Sequence, residues 1–208
     1  MLVPTLIPTI ITAVSKLASP LGPMIARTAP MVLKTVSENL PKVVQVIEQL
    51  SIASSVLKQN ESVNELGAKA ISADKTPEDF NQINDYIDYL RNDVTKVTLS
   101  DEPTDVLACQ AIGSAILLQG LNMELSTNIS LPFLNNVAEI GVGSKVVFEI
   151  IKAYSGSGLN LEQIEAYSGG QLQLNETKQH SDCLVSAYKN AEPTMTQQEA
   201  EQAVMKDF

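Results

Sequence analysis

His180, the only histidine among 208 residues, stands three positions before Cys183, with Asp182 beside the cysteine. On a helix that spacing puts imidazole and thiol on one face, as a cysteine nucleophile and its base require. A working pair also needs a group that orients the imidazole and donors for an oxyanion, and no motif supplies either. A zinc site needs four ligands, whereas His180, Cys183 and Cys109 make at most three. The expectation is a half-buried histidine beside a core cysteine, with no catalytic residue and no metal ligand assigned.

Other fragments fail for similar physical reasons. Gly141-Val-Gly143-Ser144-Lys145 lacks the spacing of either glycine-rich phosphate loop, because position 146 is valine and no strand precedes it. It reads as a helix stop followed by a helix start. Ser155-Gly156-Ser157-Gly158 reads as a flexible turn. The acids Glu78, Asp79, Asp85 and Asp88 do not have the spacing of a calcium loop, and a solvated helix face is the expected use. There is no Trp and only nine Phe and Tyr, all after position 79. An aromatic-lined sugar or nucleotide site is not expected, and no cofactor is assigned.

The strongest signal is the distribution of charge. The first 37 residues hold no acidic side chain and carry only Lys16, Arg27 and Lys34, while the whole chain is at −10. Residues 1–50 are at +2 and the remaining 158 at −12. So acidic a surface, with no basic stripe, argues against nucleic-acid binding. An opening segment this apolar must bury itself in its own core, in a partner or in lipid. Its contact residues are expected to be Leu2, Val3, Leu6, Ile7, Ile10, Ile11, Val14 and Leu17, joined by Val43, Val46, Ile47 and Leu50.

Two regions follow. Residues 1–58 form an apolar, proline-rich helical arm suited to self-association or to contact with a partner or lipid, and residues 59–208 form an acidic helical domain. The leading expectation is a non-catalytic structural, assembly or interaction protein. Its arm would be buried against further copies of itself or against another protein. A membrane-associated or pore-forming helical protein is the alternative, resting on the same arm and on the uncharged run 106–123. A Cys/His enzyme is the weakest reading. The bland competitor is an arm that packs on its own domain. With no charged region before Pro4 and Pro8, the start does not read as a cleavable signal peptide, which favours the cytoplasm. Lys16, Pro20, Pro23, Arg27 and Pro30 interrupt any span there, and Gln110, Ser114, Gln119 and Asn122 suit a buried helix better than a lipid-facing one.

Periodicity and capping place the elements. Prolines suggest short helices near 9–18 and 31–39, and a longer amphipathic helix should run from Pro41 to about Lys58. Ser62 and Glu65 form a capping box for a helix over 63–72. Thr76-Pro77-Glu78-Asp79 is the strongest helix start, carrying Phe80, Ile83, Ile87 and Leu90 inward. Val94 to Leu99 reads as a short extended piece. A central helix should span about 103–125, where Ala108, Ala111 and Ala115 let neighbours approach. Helices from Pro132, Ser144, Asn160, Asn175 and Thr196 complete the chain. The fold class is all-α: an irregular bundle of eight or nine mostly short helices, with the proline-punctuated arm in front.

Overall fold

A computed structural model describes residues 7–95, 97 and 101–208. Among these the protein is all-helical, with no strand. It divides into two compact units, Met1–Glu124 and Leu125–Phe208. The division expected at 58/59 falls inside the first unit.

Unit 1 contains α1 (Ile7–Ala18), a 3₁₀ turn at Ser19–Leu21, α2 (Pro23–Val36), α3 (Leu40–Ala53) and α4 (Val63–Ser72). A second 3₁₀ turn (Pro77–Asp79), α5 (Ile83–Asn92) and α6 (Pro103–Glu124) complete it. Every residue of α6 from Ala111 to Leu118 is buried, because α1 through α5 all pack on it, α4 most extensively. A helix apolar on all sides can be stable only when wrapped in this way. α6 is the one described helix long and apolar enough to cross a membrane, and 67% of its most apolar 18-residue window is buried within the fold.

The α4–α6 crossing is a backbone contact. A Cβ added at Gly67 would lie 1.9 Å from the Cys109 carbonyl oxygen, and one at Gly113 would lie 2.1 Å from that of Val63. Val63 and Gly67 on α4 therefore face Gly113 and Cys109 on α6, an antiparallel, reciprocal pair of contacts. The alanines expected to permit close approach are buried on α6, but at these two points glycine sets the distance.

Unit 2 contains α7 (Leu131–Ile140), α8 (Ser144–Ser157), a 3₁₀ turn (Leu161–Gln163), α9 (Ile164–Ser168), α10 (Leu174–Ala191) and α11 (Gln197–Asp207). α10 packs along α8 on one side and α11 on the other. Tyr188 reaches across this second seam, its hydroxyl donating to Asp207 Oδ2 at 2.6 Å. Ser62, Ser130 and Thr196 each accept a backbone N–H three residues on; the capping box is complete at Thr196 with Glu199, whereas Glu65, expected to complete one at Ser62, pairs with Lys69.

Several expectations need correction. Among the described residues there are eleven α-helices where eight or nine were expected, although the elements placed one by one from the sequence also number eleven. Gly22 and Ser55 adopt positive φ, at 96° and 64°, which a continuing right-handed helix cannot contain. The second helix begins at Pro23, well before 31, and runs through Pro30. α3 stops at Ala53, after which Val56 and Leu57 enter the core from the following turn. Thr76-Pro77 opens only a single 3₁₀ turn, and extended residues at Phe80 and Gln82 delay α5 to Ile83. The reason is tertiary. Glu78 is exposed, as expected, yet its carboxylate turns toward the start of α2 and accepts the Met24 N–H at 3.1 Å. It occupies the space where a Gly22 side chain would stand. The expected extended piece Val94–Leu99 lies partly outside the described residues. Val94 and Thr95 are in neither helix nor strand.

Candidate functional site

The residues flagged for chemistry meet in unit 2, where α10 crosses α8. His180 is 1% exposed, so it is fully buried where a half-buried side chain was expected. Its Nδ1 lies 2.8 Å from the Tyr154 hydroxyl, and Tyr167 from α9 stacks on the imidazole at 6.1 Å between centroids. Burial pushes the imidazolium below its usual range, with Glu176 opposing. Burial also pushes the Tyr154 phenol well above its own range. Both groups are therefore neutral near pH 7, and with the phenol as donor the imidazole carries its proton on Nε2.

Cys183 lies one turn further along α10. Its Sγ is 3.9 Å from Ser157 Oγ, and burial raises its thiol above the ordinary value. Nδ1 of His180 is committed to Tyr154 and the thiol's contact is with Ser157, so neither of these bonds joins thiol to imidazole. The thiol opens onto a groove of about 620 Å³ between the end of α8 and α10, bordered by Gly156, Ser157, Gln179, Asp182 and Ser186. Cys109 is buried at the α4–α6 crossing and its thiol is likewise raised by burial. Both cysteines are free. Sequence reasoning found His180 and Cys183 but not Tyr154, Ser157 or Tyr167. The Tyr154–His180 and Ser157–Cys183 pairs each span 26 positions, too far for any local pattern.

The remaining motifs resolve into structural parts. Gly141 ends α7 and Gly143 precedes α8, the stop and start read from the sequence. Asp79 accepts the Thr76 N–H at 2.7 Å, and that bond with the Thr76 hydroxyl holds its carboxyl below the usual range. Asp88 pairs with Arg91. Arg91 also binds Glu61 through Nε at 2.6 Å and donates to the Val56 carbonyl at 3.0 Å. Burial opposes ionisation of Glu61, but the Arg91 hydrogen bond and charge outweigh it and leave the carboxyl below normal. Among the described residues, no group of three or more His, Cys, Asp or Glu could hold a metal ion.

Of the expected contact residues, Leu2, Val3 and Leu6 lie outside the described residues. Ile10, Val14, Val43, Val46, Ile47 and Leu50 are buried inside unit 1, and Ile7, Ile11 and Leu17 are half-buried on α1. The side chains left in solvent are different ones, among them Lys16, Arg27, Met31, Lys34, Glu38 and Lys42. Arg27, Met31 and Lys34 follow helical spacing i, i+4, i+7 and so share one outer stripe of α2. That spacing is present in the sequence, but Pro30 hides it by suggesting a helix break.

The chain matches no protein-family model, no curated protein and no solved structure.

Proposed function

We propose that this chain is a non-catalytic interaction or assembly protein whose contact surface is the outer side of its N-terminal helices. One observation carries the reading. The acid-free opening segment buries its apolar side chains within unit 1, against α6 and between its own helices, and leaves Lys16, Arg27 and Lys34 exposed, with Met31 50% exposed between the last two. An exposed apolar side chain flanked by unpaired cations is suited to binding another surface. The chemistry-bearing groups support the same reading, since burial raises the Cys183 thiol of unit 2 and the Cys109 thiol of unit 1 and His180 Nδ1 is tied to Tyr154. The contact is therefore made by what α1 and α2 leave uncovered, and the apolar residues named from the sequence support it from beneath.

A photo-reactive residue at position 31 of the full chain, in cells that make it, should yield a cross-linked product. The same residue at exposed position 198 on α11 should yield little. Equal yields, or none at position 31, would overturn the reading. Deleting the first 58 residues is an unsuitable test, because α1, α2 and α3 pack on α6.

A lipid-directed reading has one observation in its favour, the length and apolarity of α6. Reaching a bilayer would require α6 to leave α1 through α5 and expose the core of unit 1. Partition of the full chain into vesicles, with loss of Cys109 protection, is the result that would support it.

A further inference from the structure

The outer stripe of α2 has a chemical counterpart elsewhere in the same unit. Asp85 on α5 and Asp93, which caps its C-terminal end, are exposed and make no ion pair among the described residues. Tyr89 stands between them at i, i+4, i+8 spacing and stays half-exposed, although the Phe80 and Tyr86 rings lie 5.3 and 6.2 Å from its ring and the Lys75 ammonium lies over it at 5.3 Å. One stripe therefore reads base, thioether, base, and the other acid, aromatic, acid. The outer charges are about 10 Å apart on α2 and about 12 Å apart on α5, at 1.5 Å rise per residue. Charge sorting along the chain agrees: residues 1–50 are at +2, while residues 51–124 carry five basic against twelve acidic side chains, a net −7.

We infer that the partner of the α2 stripe is a second copy of this chain, which seats Arg27, Met31 and Lys34 against Asp85, Tyr89 and Asp93. This names the partner for the interaction reading above and rests on it. The fit has two physical parts. Opposite charges at matched spacing fix the register, and Met31 sulfur against the Tyr89 ring supplies an apolar centre. The interface joins two different patches. It closes into a ring or dimer where the rotation allows and otherwise extends as a chain of copies. Exposed ion pairs are individually weak, so the association should be salt-sensitive.

Sedimentation of the full chain at about 10 mM and about 1 M salt, where the Debye length is about 30 Å and 3 Å, tests this. At low salt the weight-average mass should rise with concentration to twice the 22.4 kDa monomer or more, and at high salt it should return to the monomer. Arg27→Glu with Lys34→Glu should stay monomeric in both, as should Asp85→Lys with Asp93→Lys. Mixing the two charge-reversed variants should restore association at low salt. A wild type that remains at 22.4 kDa at low salt, or reversed variants that associate alone or fail to associate when mixed, would overturn the inference. Binding of the wild type to phosphatidylserine vesicles without self-association would also overturn it. Cross-linking from position 31 to a different protein would leave the interaction reading standing and remove only the second copy.

Discussion

Gly67→Ala should destabilise unit 1, although alanine is the better helix former. On propensity alone the change favours α4 by up to about 1 kcal/mol. The structure reverses the sign. The new Cβ would sit 1.9 Å from the Cys109 carbonyl oxygen, and ordinary contact begins at 3.4 Å. α4 and α6 must therefore separate by roughly 1.5 Å, and a gap of 0.5–1 Å already forfeits a quarter to a half of each dispersion contact. Buried side chains on both helices, Val63, Leu66 and Ala70 on α4 and Ala108, Ile112 and Ile116 on α6, would lose packing. Overpacking of this kind costs about 1–3 kcal/mol and occasionally more. With rigid backbone on both sides, a net loss of about 2–4 kcal/mol is expected. At a urea slope of about 2 kcal/mol per molar, the midpoint should fall by about 1–2 M. Thiol labelling across a urea series, read at Cys109 by mass spectrometry, follows this unit directly because Cys109 lies at the crossing. Gly113→Ala should behave alike. Gly156→Ala in α8 meets open space and should stabilise unit 2 by about 0.5–1 kcal/mol. A Cys109 midpoint that stays put or rises in Gly67→Ala would refute the backbone-contact account.

Acid should weaken unit 2 through His180. Its folded pKa is lowered by burial from the ordinary 6.5, so the unfolded chain binds the proton more readily. The stabilisation is complete above about pH 6.5 and declines as pH falls from there to the lowered folded value. His180→Gln should remove that slope in urea midpoints taken from pH 7.5 to 5.5, and an unchanged slope would count against it. Arg91→Ala should cost about 2–3 kcal/mol, since it strips the partly buried Glu61 of its counter-charge and leaves the Val56 carbonyl unbonded, the imbalance that makes broken ion pairs costly. Glu61→Gln keeps an acceptor in place and should cost less, as urea denaturation of the pair would reveal. In the folded chain Cys183 should react with a thiol reagent more slowly than a free cysteine and Cys109 more slowly still, with both equalised in denaturant. Rapid native alkylation of Cys183 near pH 7 would reopen thiol chemistry in the unit 2 groove.

The elements that were readable in advance share a cause: their determinants lie within one turn of the chain. Ser62 with Glu65 and Thr196 with Glu199 cap α4 and α11 because donor and acceptor are three residues apart. Gly141 and Gly158 end α7 and α8 for the same local reason. The inward face of α3, with Val43, Val46, Ile47 and Leu50, follows from periodicity alone. The partners of the histidine were not readable, because Tyr154 and Tyr167 are brought to it by the packing of α8 and α9. Nor was the exposed stripe of α2, whose helix continues through a proline that costs it a hydrogen bond, with Ile25, Val32, Leu33 and Val36 buried against the rest of unit 1.

By itself the sequence determined that this protein is helical, where most of its helices are capped, and that its opening segment is too apolar to remain in water. Those properties depend on side-chain type and on spacings of three or four residues. Only the tertiary structure decided where that apolar surface goes, which glycines set the distance between α4 and α6, and why Thr76-Pro77 stops after one turn. The glycine contacts and the Met24–Glu78 bond join residues 40 or more positions apart, beyond the reach of any local pattern. Glu78 illustrates the point: its own segment would place it in the first turn of a helix, and the free N–H of Met24, 54 positions earlier, draws it to another.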